Sequence, residues 1–261
     1  MDLGITGKTA IVHGAGGGLG GAIALALAKE GVKVAVCDVN EQAIAATVDR
    51  IKAVGGTSFG QQWDLADTDG FADRLKKIEE ALGPVDILVN NTGGPPPGTA
   101  HGVSPAEWEK HFRQMVVSVT HMTDLVLPGM RERGWGRIIT SASSGVVAPI
   151  PNLGLSNALR AALVGWSKTL AREVGADGVT ANILIPGRIA TGRITALDEA
   201  RAKREGRSVE SVVAESTDSI PLKRYGRPEE YGSAAAFLAS QHASYITGSQ
   251  FRIDGGLIPS L

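Results

Sequence analysis

Five glycines lie between positions 14 and 20, and Asp38 follows Gly18 after a further 20 residues. Glycine lets a backbone turn approach a pyrophosphate closely, and the N–H groups at the start of the next helix point at the anion. A carboxylate about 20 residues later is placed to accept hydrogen bonds from an adenosine ribose and to repel a 2′-phosphate. The spacing therefore predicts a dinucleotide site that prefers NAD to NADP. A glycine-rich turn that only connects a strand to a helix is the alternative.

Short apolar runs alternate with amphipathic helices along the chain. This alternation predicts a parallel sheet covered by helices on both faces. We expect a doubly wound α/β sheet (Rossmann fold) of about seven strands, in a single domain spanning 1–261. Strands are predicted at 8–12, 33–37, 58–63, 85–89, 137–142, 180–185 and 250–253, and helices at 22–30, 41–54, 68–82, 105–130, 153–174 and 228–240.

The composition argues against several classes of protein. Of the 261 residues, 43% are hydrophobic and 20% are charged, and the formal net charge is −1, so nucleic acid is not an expected partner. No segment approaches the ~20 unbroken apolar residues of a membrane helix, and we expect a soluble, cytoplasmic protein. The single cysteine, Cys37, is expected to be a small core residue. The five histidines are too scattered to predict a metal site.

Candidate ligand-binding residues follow two of the predicted strands. Asp64 and Leu65 end the third strand, and Asn91 and Gly93 follow the fourth. Because the carboxyl ends of parallel strands meet at one edge of a sheet, where ligands bind, we expect these residues beside the dinucleotide. Helix capping and turn formation are the alternative roles for Asp and Asn. The prolines at 95–97 predict a stiff wall of the cleft.

With these motifs the chain resembles the short-chain dehydrogenase/reductase family over essentially its whole length. The family's glycine motif is present with His13 in place of its threonine, and the Asn-Asn-x-Gly motif appears at 90–93. The turn that meets the nicotinamide amide in that family appears at 186–191. The resemblance implies that the cofactor-binding residues, besides Asp38, are Gly14, Gly18, Leu19, Gly20, Asp64, Leu65, Asn91, Gly93, Pro186, Gly187, Ile189 and Thr191.

The catalytic positions of that family are only partly matched. The family uses an Asn, a Ser and a Tyr-x-x-x-Lys pair, and its Ser commonly precedes the Tyr by 13 positions. Ser143 matches the serine, Ser156 lies 13 residues later, and Arg160 follows where the lysine is expected. The asparagine position falls on Met115. The candidate catalytic residues are therefore Ser143, Ser156 and Arg160.

These substitutions change the chemistry that the site can perform. An aliphatic serine hydroxyl is much less acidic than a tyrosine phenol, whose pKa is about 10. An arginine keeps the positive charge but stays protonated, so Arg160 cannot cycle a proton, although it can hold a ribose or a carboxylate. Capping roles for the two serines and a salt bridge for Arg160 are the alternatives. His111 and His121 are further candidates for the proton donor.

Two classes of function remain open. The first is an NAD(H)-dependent oxidoreductase acting on a carbonyl or alcohol substrate with a non-standard catalytic site. The second is a cofactor-binding protein without dehydrogenase chemistry that serves as a regulatory or partner subunit. The charged segment 191–222 is interpreted as a helical lid over the cleft, with a solvated surface excursion as its alternative. The resemblance also implies a homo-oligomer, a tetramer or a dimer, whose interface would bury Leu159, Leu163 and Trp166 wherever these residues face away from the sheet.

Overall fold

The computed structural model describes residues 2–260. In that part of the chain seven parallel strands form one sheet, in the order β3-β2-β1-β4-β5-β6-β7. The predicted doubly wound sheet of a single domain is therefore confirmed, and every strand lies within two residues of its predicted bounds. The strands are β1 (Thr9–His13), β2 (Lys33–Asp38), β3 (Ser58–Gln62), β4 (Ile87–Asn90), β5 (Gly136–Ser141), β6 (Val179–Pro186) and β7 (Gln250–Ile253).

Helices cover both faces of the sheet. They are α1 (Gly18–Lys29), α2 (Glu41–Ala53), α3 (Phe71–Leu82), α4 (Pro105–Phe112), α5 (Ser118–Glu132), α6 (Gly154–Val174), α7 (Gly192–Glu205), α8 (Val209–Asp218) and α9 (Pro228–Ala239). One face packs α1 and α9 on the sheet around Ile23, Leu27 and Tyr231. The other face is centred on Phe71 and Met122. Because both faces are covered, β1 and β5 are buried along their whole length.

Two helices differ from their predicted form. Helix α1 begins at Gly18, four residues before its predicted start, so part of the glycine motif is already helical. The predicted long helix 105–130 is interrupted by a π-helical turn at Arg113–Val117, which separates α4 from α5. Such turns widen the helix by one residue and often occur at functional sites. Segment 191–222 is helical as predicted and contains α7 and α8.

The π-helical turn gives Leu159 and Leu163 a partner inside their own chain. Both leucines are buried against Met115 and Val116, and Trp166 packs on the same cluster. Leu159 and Leu163 are therefore already buried within their own chain, so the condition set for their burial in an oligomer interface is not met. The oligomer itself stays a prediction.

The strand order reverses between β1 and β4, since β2 and β3 lie to one side and β5 to β7 to the other. The carboxyl ends of β1 and β4 therefore border a crevice, which is where ligands bind in open α/β sheets. No helix within residues 2–260 is long and apolar enough to cross a membrane.

Candidate active site

The glycine turn between β1 and α1 is a close backbone packing site. Gly14 has φ +59°, and a Cβ on Gly20 would overlap the carbonyl oxygen of Gly14. The side chain of Asn91 donates from Nδ2 to the carbonyl oxygens of His13 and Gly14, at 3.3 and 3.4 Å. Asn91, just after β4, therefore pins the turn that follows β1, and the sequence-predicted residues Gly14, Gly20 and Asn91 lie together.

Asp38 is the last residue of β2 and lies against this turn. Its Oδ2 accepts a hydrogen bond from the N–H of Gly16 at 3.0 Å, and its Oδ1 accepts one from Asn40 at 3.1 Å. Each oxygen keeps a further lone pair for a ligand hydroxyl. The carboxylate thus stands at the strand end where the sequence analysis expected a ribose contact.

A pocket of about 390 Å³ opens beside Asp38. We call it the acidic pocket, because Asp38 and Asp64 line it and no lysine or arginine among the described residues does. Leu65 also lines it, and its contact with a cofactor stays a prediction. The remaining lining residues are His13, Gly14, Cys37, Val39, Trp63, Asn91, Thr92, Gly93, Gly94, His111, Gln114 and Met115.

His13 and Trp63 line the acidic pocket, although neither was predicted to lie there. The two rings meet edge to face with centroids 5.1 Å apart, and both are buried. Burial lowers the pKa of His13 to about 4, because the charged imidazolium would lose its hydration. Its Nε2 has no hydrogen-bond partner among residues 2–260. The sequence signal for this difference was at position 13, which holds a histidine where the short-chain dehydrogenase/reductase family has a threonine.

A second pocket, of about 530 Å³, adjoins the first. We call it the arginine pocket, because Arg160, Arg188 and Arg193 line it and no Asp or Glu of the described chain does. It shares residues 91–94 with the acidic pocket, so the two form one continuous cleft. Its lining includes the predicted residues Gly18, Leu19, Ser143, Ser156, Pro186, Gly187, Ile189 and Thr191.

Arg160 is a buried cation held by backbone oxygens. Its Nη1 donates to the carbonyl oxygen of Ser141 at 2.9 Å, and its Nη2 donates to those of Thr92 and Gly93 at 3.2 and 3.4 Å. No carboxylate in the described chain forms an ion pair with it, so the salt bridge considered from the sequence is absent there. Burial, with the like charge of Arg193 adding to it, lowers the pKa of Arg160 to about 10. The side chain ties the ends of β4 and β5 together and stays charged at neutral pH.

The two candidate serines differ in their contacts. Ser143 Oγ accepts a hydrogen bond from the N–H of Gly145 at 3.1 Å, so this serine has the capping role that was its alternative. Its hydroxyl proton remains free to donate. Ser156 is buried in the third position of α6, and its Oγ forms no hydrogen bond within the described residues. Met115 is buried in the π-helical turn and lines the acidic pocket instead of the pocket of the serines.

The other proton-donor candidates lie away from the serines. His111 lines the acidic pocket, and His121 stacks on Phe71 with ring centroids 5.6 Å apart. Tyr231 packs in the core against β5 and β6, where burial raises the pKa of its phenol and its OH shares a hydrogen bond with Ser141 Oγ at 2.8 Å. Among the described residues, the hydroxyls that line the arginine pocket belong to serines and threonines.

The arginine pocket also contains residues that the sequence analysis did not assign to the site. Arg188 is ion-paired with the buried Asp198 at 2.6 Å, and Tyr225 donates to the same carboxylate at 2.8 Å. Arg193, in the first turn of α7, donates from Nη2 to the carbonyl oxygen of Pro95 at 3.0 Å. The start of segment 191–222 thus contacts the proline wall across the mouth of the pocket.

Over residues 14–258 the chain matches the family model described as "Enoyl-(Acyl carrier protein) reductase". The relatives and solved structures that are similar to this chain are short-chain dehydrogenases/reductases. The chain belongs to the short-chain dehydrogenase/reductase family.

Individual members of this short-chain dehydrogenase/reductase family are similar along nearly the whole chain. "Nodulation protein G" of Azospirillum brasilense is 39% identical over 251 residues, which are 96% of this chain and 98% of the relative. The "3-oxoacyl-[acyl-carrier-protein] reductase FabG" of Escherichia coli (strain K12) is 36% identical, with coverage of 96% and 97%. L-sorbose reductase from Gluconobacter frateurii, solved with NADPH and L-sorbose, is 31% identical with a TM-score of 0.93 and full coverage of both chains. The second and third of these proteins are reductases.

The continuous cleft fits the dinucleotide that a short-chain dehydrogenase/reductase implies. A carboxylate stands at one end of the cleft, and the turn at 186–191 stands at the other. Between them, positions 17 and 93 are glycines with open space where a Cβ would project. The described residues therefore leave room for an elongated ligand along the helix α1 N-terminus.

Proposed function

We propose that this short-chain dehydrogenase/reductase is an NAD(H)-dependent oxidoreductase acting on a carbonyl or alcohol substrate, with a non-standard catalytic site. The observation that supports it is the continuity of the cleft. The pocket that contains Ser143 and Ser156 shares residues 91–94 with the pocket that contains Asp38. A dinucleotide with its adenosine end beside Asp38 would therefore reach the arginine pocket with its nicotinamide end, where a substrate beside the serines would meet it.

In this proposal the chain's residues divide the work of holding the cofactor. Asp38 accepts hydrogen bonds from the adenosine ribose, the first turn of α1 faces the pyrophosphate, and the turn at 186–191 holds the nicotinamide amide. The cofactor supplies or accepts the hydride. Arg160 holds the strand ends on which the nicotinamide side of the cleft is built.

We further propose that Ser156 and Arg160 stand in place of the family's tyrosine and lysine, and Met115 in place of its asparagine. Ser143 then donates a hydrogen bond to the substrate oxygen, for which its hydroxyl proton is free. Ser156 adds a second hydroxyl and leaves room for a water or a larger substrate, because its side chain is shorter than a tyrosine's. A water held by the two serines is the proton donor that this arrangement favours.

The cofactor preference that we propose is for NAD. In residues 2–260 the acidic pocket is lined by two carboxylates and by no cation. Arg74 lies 5.8 Å from the ring of Trp63, on that pocket's wall, but it is held by Asp67 at 2.6 Å. The 2′-phosphate of NADP would therefore face the carboxylate of Asp38, and no free cation of the described chain would lie beside it to neutralise its charge. The L-sorbose reductase structure contains NADPH, so the preference would distinguish this chain from that relative.

A second candidate is a cofactor-binding protein that has no dehydrogenase activity. The observation that favours it is the contact set of Arg160, whose two Nη atoms are already bonded to three backbone carbonyls. Nicotinamide absorbance followed with a panel of ketones and alcohols tests both candidates. If the wild type turns over a ketone or an alcohol and the Ser143→Ala variant does not, the result supports the oxidoreductase function. Tight NADH binding without turnover of any substrate supports the second candidate.

We also propose that the chain forms a homo-oligomer, a tetramer or a dimer, as the family resemblance implies. Phe112 at the end of α4 is 45% exposed and offers apolar surface beside α6. Light scattering at micromolar concentration should give a multiple of the 27.1 kDa chain mass. A monomer as the sole species would contradict the proposal.

A further inference from the structure

Two guanidinium groups converge beside Gly94, at the junction of the two pockets. A Cβ on Gly94 would lie 3.2 Å from Nη2 of Arg193 and 3.8 Å from Nη2 of Arg160. The side chains come from α7 and α6, which are far apart in the sequence. Because position 94 is a glycine, the space in front of both Nη2 atoms remains open to a ligand.

Neither of these two charges is neutralised by the described chain. Arg160 and Arg193 each donate to backbone carbonyl oxygens, and neither forms an ion pair within residues 2–260. Arg188, on the same pocket, has Asp198 as its counter-ion. Two like charges near each other, one of them buried, are unfavourable unless an anion joins them.

The remainder of the arginine pocket indicates what kind of anion fits. Apolar side chains also line it, namely Ile150, Leu153, Ile194, Leu197 and Leu257. A bare inorganic anion would leave this surface in contact with water. An organic molecule with an apolar body and one oxyanion would bury that surface and place its charge at the guanidinium groups.

We propose that the substrate is an oxo or hydroxy carboxylic acid, whose carboxylate binds Arg193 with Arg160 behind it. Arg193 is exposed to solvent and lines the pocket, so it makes the direct contact. Arg160 is buried and supplies a positive field from the strand ends. The serine hydroxyls at 143 and 156 lie on the same pocket wall, where the carbonyl of such a substrate can reach them. This inference rests on the proposed function and names its substrate class.

The test separates substrate binding from cofactor binding. With the protein saturated with NAD⁺, calorimetry measures binding of 2-oxo-4-phenylbutanoate and 3-oxohexanoate, each paired with its ethyl ester. The wild type should bind the acids at least about tenfold more tightly than the esters, and Arg193→Leu should reduce that ratio below about twofold. Arg193→Lys should retain part of it. Arg204→Leu, an exposed arginine of the same helix, should leave it unchanged.

A second titration with NADH identifies the source of the anion. If Arg193→Leu weakens NADH binding by about tenfold and leaves the acid-to-ester ratio intact, the arginine serves a cofactor phosphate and the proposal is overturned. Equal binding of acids and esters by the wild type, or no binding of either acid up to about 10 mM, also overturns it. Reduction of the acids by NADH is then followed separately. Selective binding without reduction would contradict the proposed oxidoreductase but retain the carboxylate site.

Discussion

The acidic pocket and the arginine pocket are halves of one cleft, yet they are built in different ways. The acidic pocket is shaped by the ends of β1, β2 and β3 and by backbone contacts such as Gly16 N–H to Asp38. The arginine pocket is shaped by side chains from α6 and α7, of which Arg193 contacts a carbonyl 98 residues away. The first half therefore depends on backbone geometry, and the second on which side chains meet. Changes in the two halves should have different effects.

The largest expected effect concerns the three substituted catalytic positions, Ser156 and Arg160 in the arginine pocket and Met115 in the acidic pocket, where the family's residues should restore the family's chemistry. The variant with Met115→Asn, Ser156→Tyr and Arg160→Lys should raise turnover of simple ketones by about 10²-fold or more, since general acid–base assistance contributes about 10² to 10⁴. Steady-state kinetics with saturating NADH measures the gain. Adding Ser143→Ala to the variant should remove most of it.

Folding of the triple variant is checked by circular dichroism, because Met115 lines the acidic pocket and its replacement alters the proposed NADH site itself. Wild-type turnover of simple ketones at the rate of the triple variant would contradict the proposed site. In that case a group other than a water held by Ser143 and Ser156 already supplies the proton.

The next largest effect concerns the backbone of the other half. In Gly20→Ala the new methyl group would overlap the carbonyl oxygen of Gly14, so the turn must move. We expect NADH affinity to fall by at least about 100-fold, or about 2.7 kcal/mol, as measured by calorimetry. Gly175→Ala is the matched control, because that glycine has helical backbone angles and open space for a Cβ. Unchanged affinity in Gly20→Ala would show that the turn does not shape the site.

The same contrast explains how much the sequence could predict. Strand positions followed from local apolar runs and turn residues, so all seven strands were found within two residues. The start of α1 was placed too late because its glycines favour turns as well as close packing. The π-helical turn and the buried contacts of Leu159 and Leu163 had no local signal, since they depend on packing between α5 and α6. Arg193 was missed because its partner is distant in sequence.

A smaller effect should follow from His13 in the acidic pocket. Burial lowers its folded-state pKa to about 4, and the unfolded value is 6.5. Below pH 6.5 the unfolded chain binds a proton that the folded chain does not, so stability falls as the pH falls towards 4. Between pH 7.5 and 5.0 the loss should be about 2 kcal/mol.

Urea unfolding at the two pH values measures that loss. His13→Thr should remove this part of the pH dependence, whatever its effect on stability at pH 7.5. His101→Asn, in an exposed loop, should behave as the wild type. The same acid sensitivity in His13→Thr would assign the effect to other groups.

The smallest expected effect is the choice between NAD and NADP at Asp38. We expect calorimetry to show NADH bound at least about tenfold more tightly than NADPH, about 1.4 kcal/mol, because a 2′-phosphate would face a carboxylate without a cation. Asp38→Ala should narrow this gap. Asp38→Asn separates charge from hydrogen bonding, since it keeps an acceptor for the N–H of Gly16 or of Asn40.

If repulsion sets the preference, the gap should narrow in Asp38→Asn almost as far as in Asp38→Ala. It should also shrink for the wild type in 1 M salt, where charges are screened over about 3 Å. A gap that persists in Asp38→Asn and is insensitive to salt would instead assign the preference to ribose hydrogen bonds. Asp49→Asn, on α2, is the matched control for removal of one negative charge.

Equal affinities of the wild type for NADH and NADPH would show that Asp38 does not set a preference between the two cofactors. The acidic pocket would then accept the NADPH that the L-sorbose reductase structure contains, and the two halves of the cleft would differ only in how they are built.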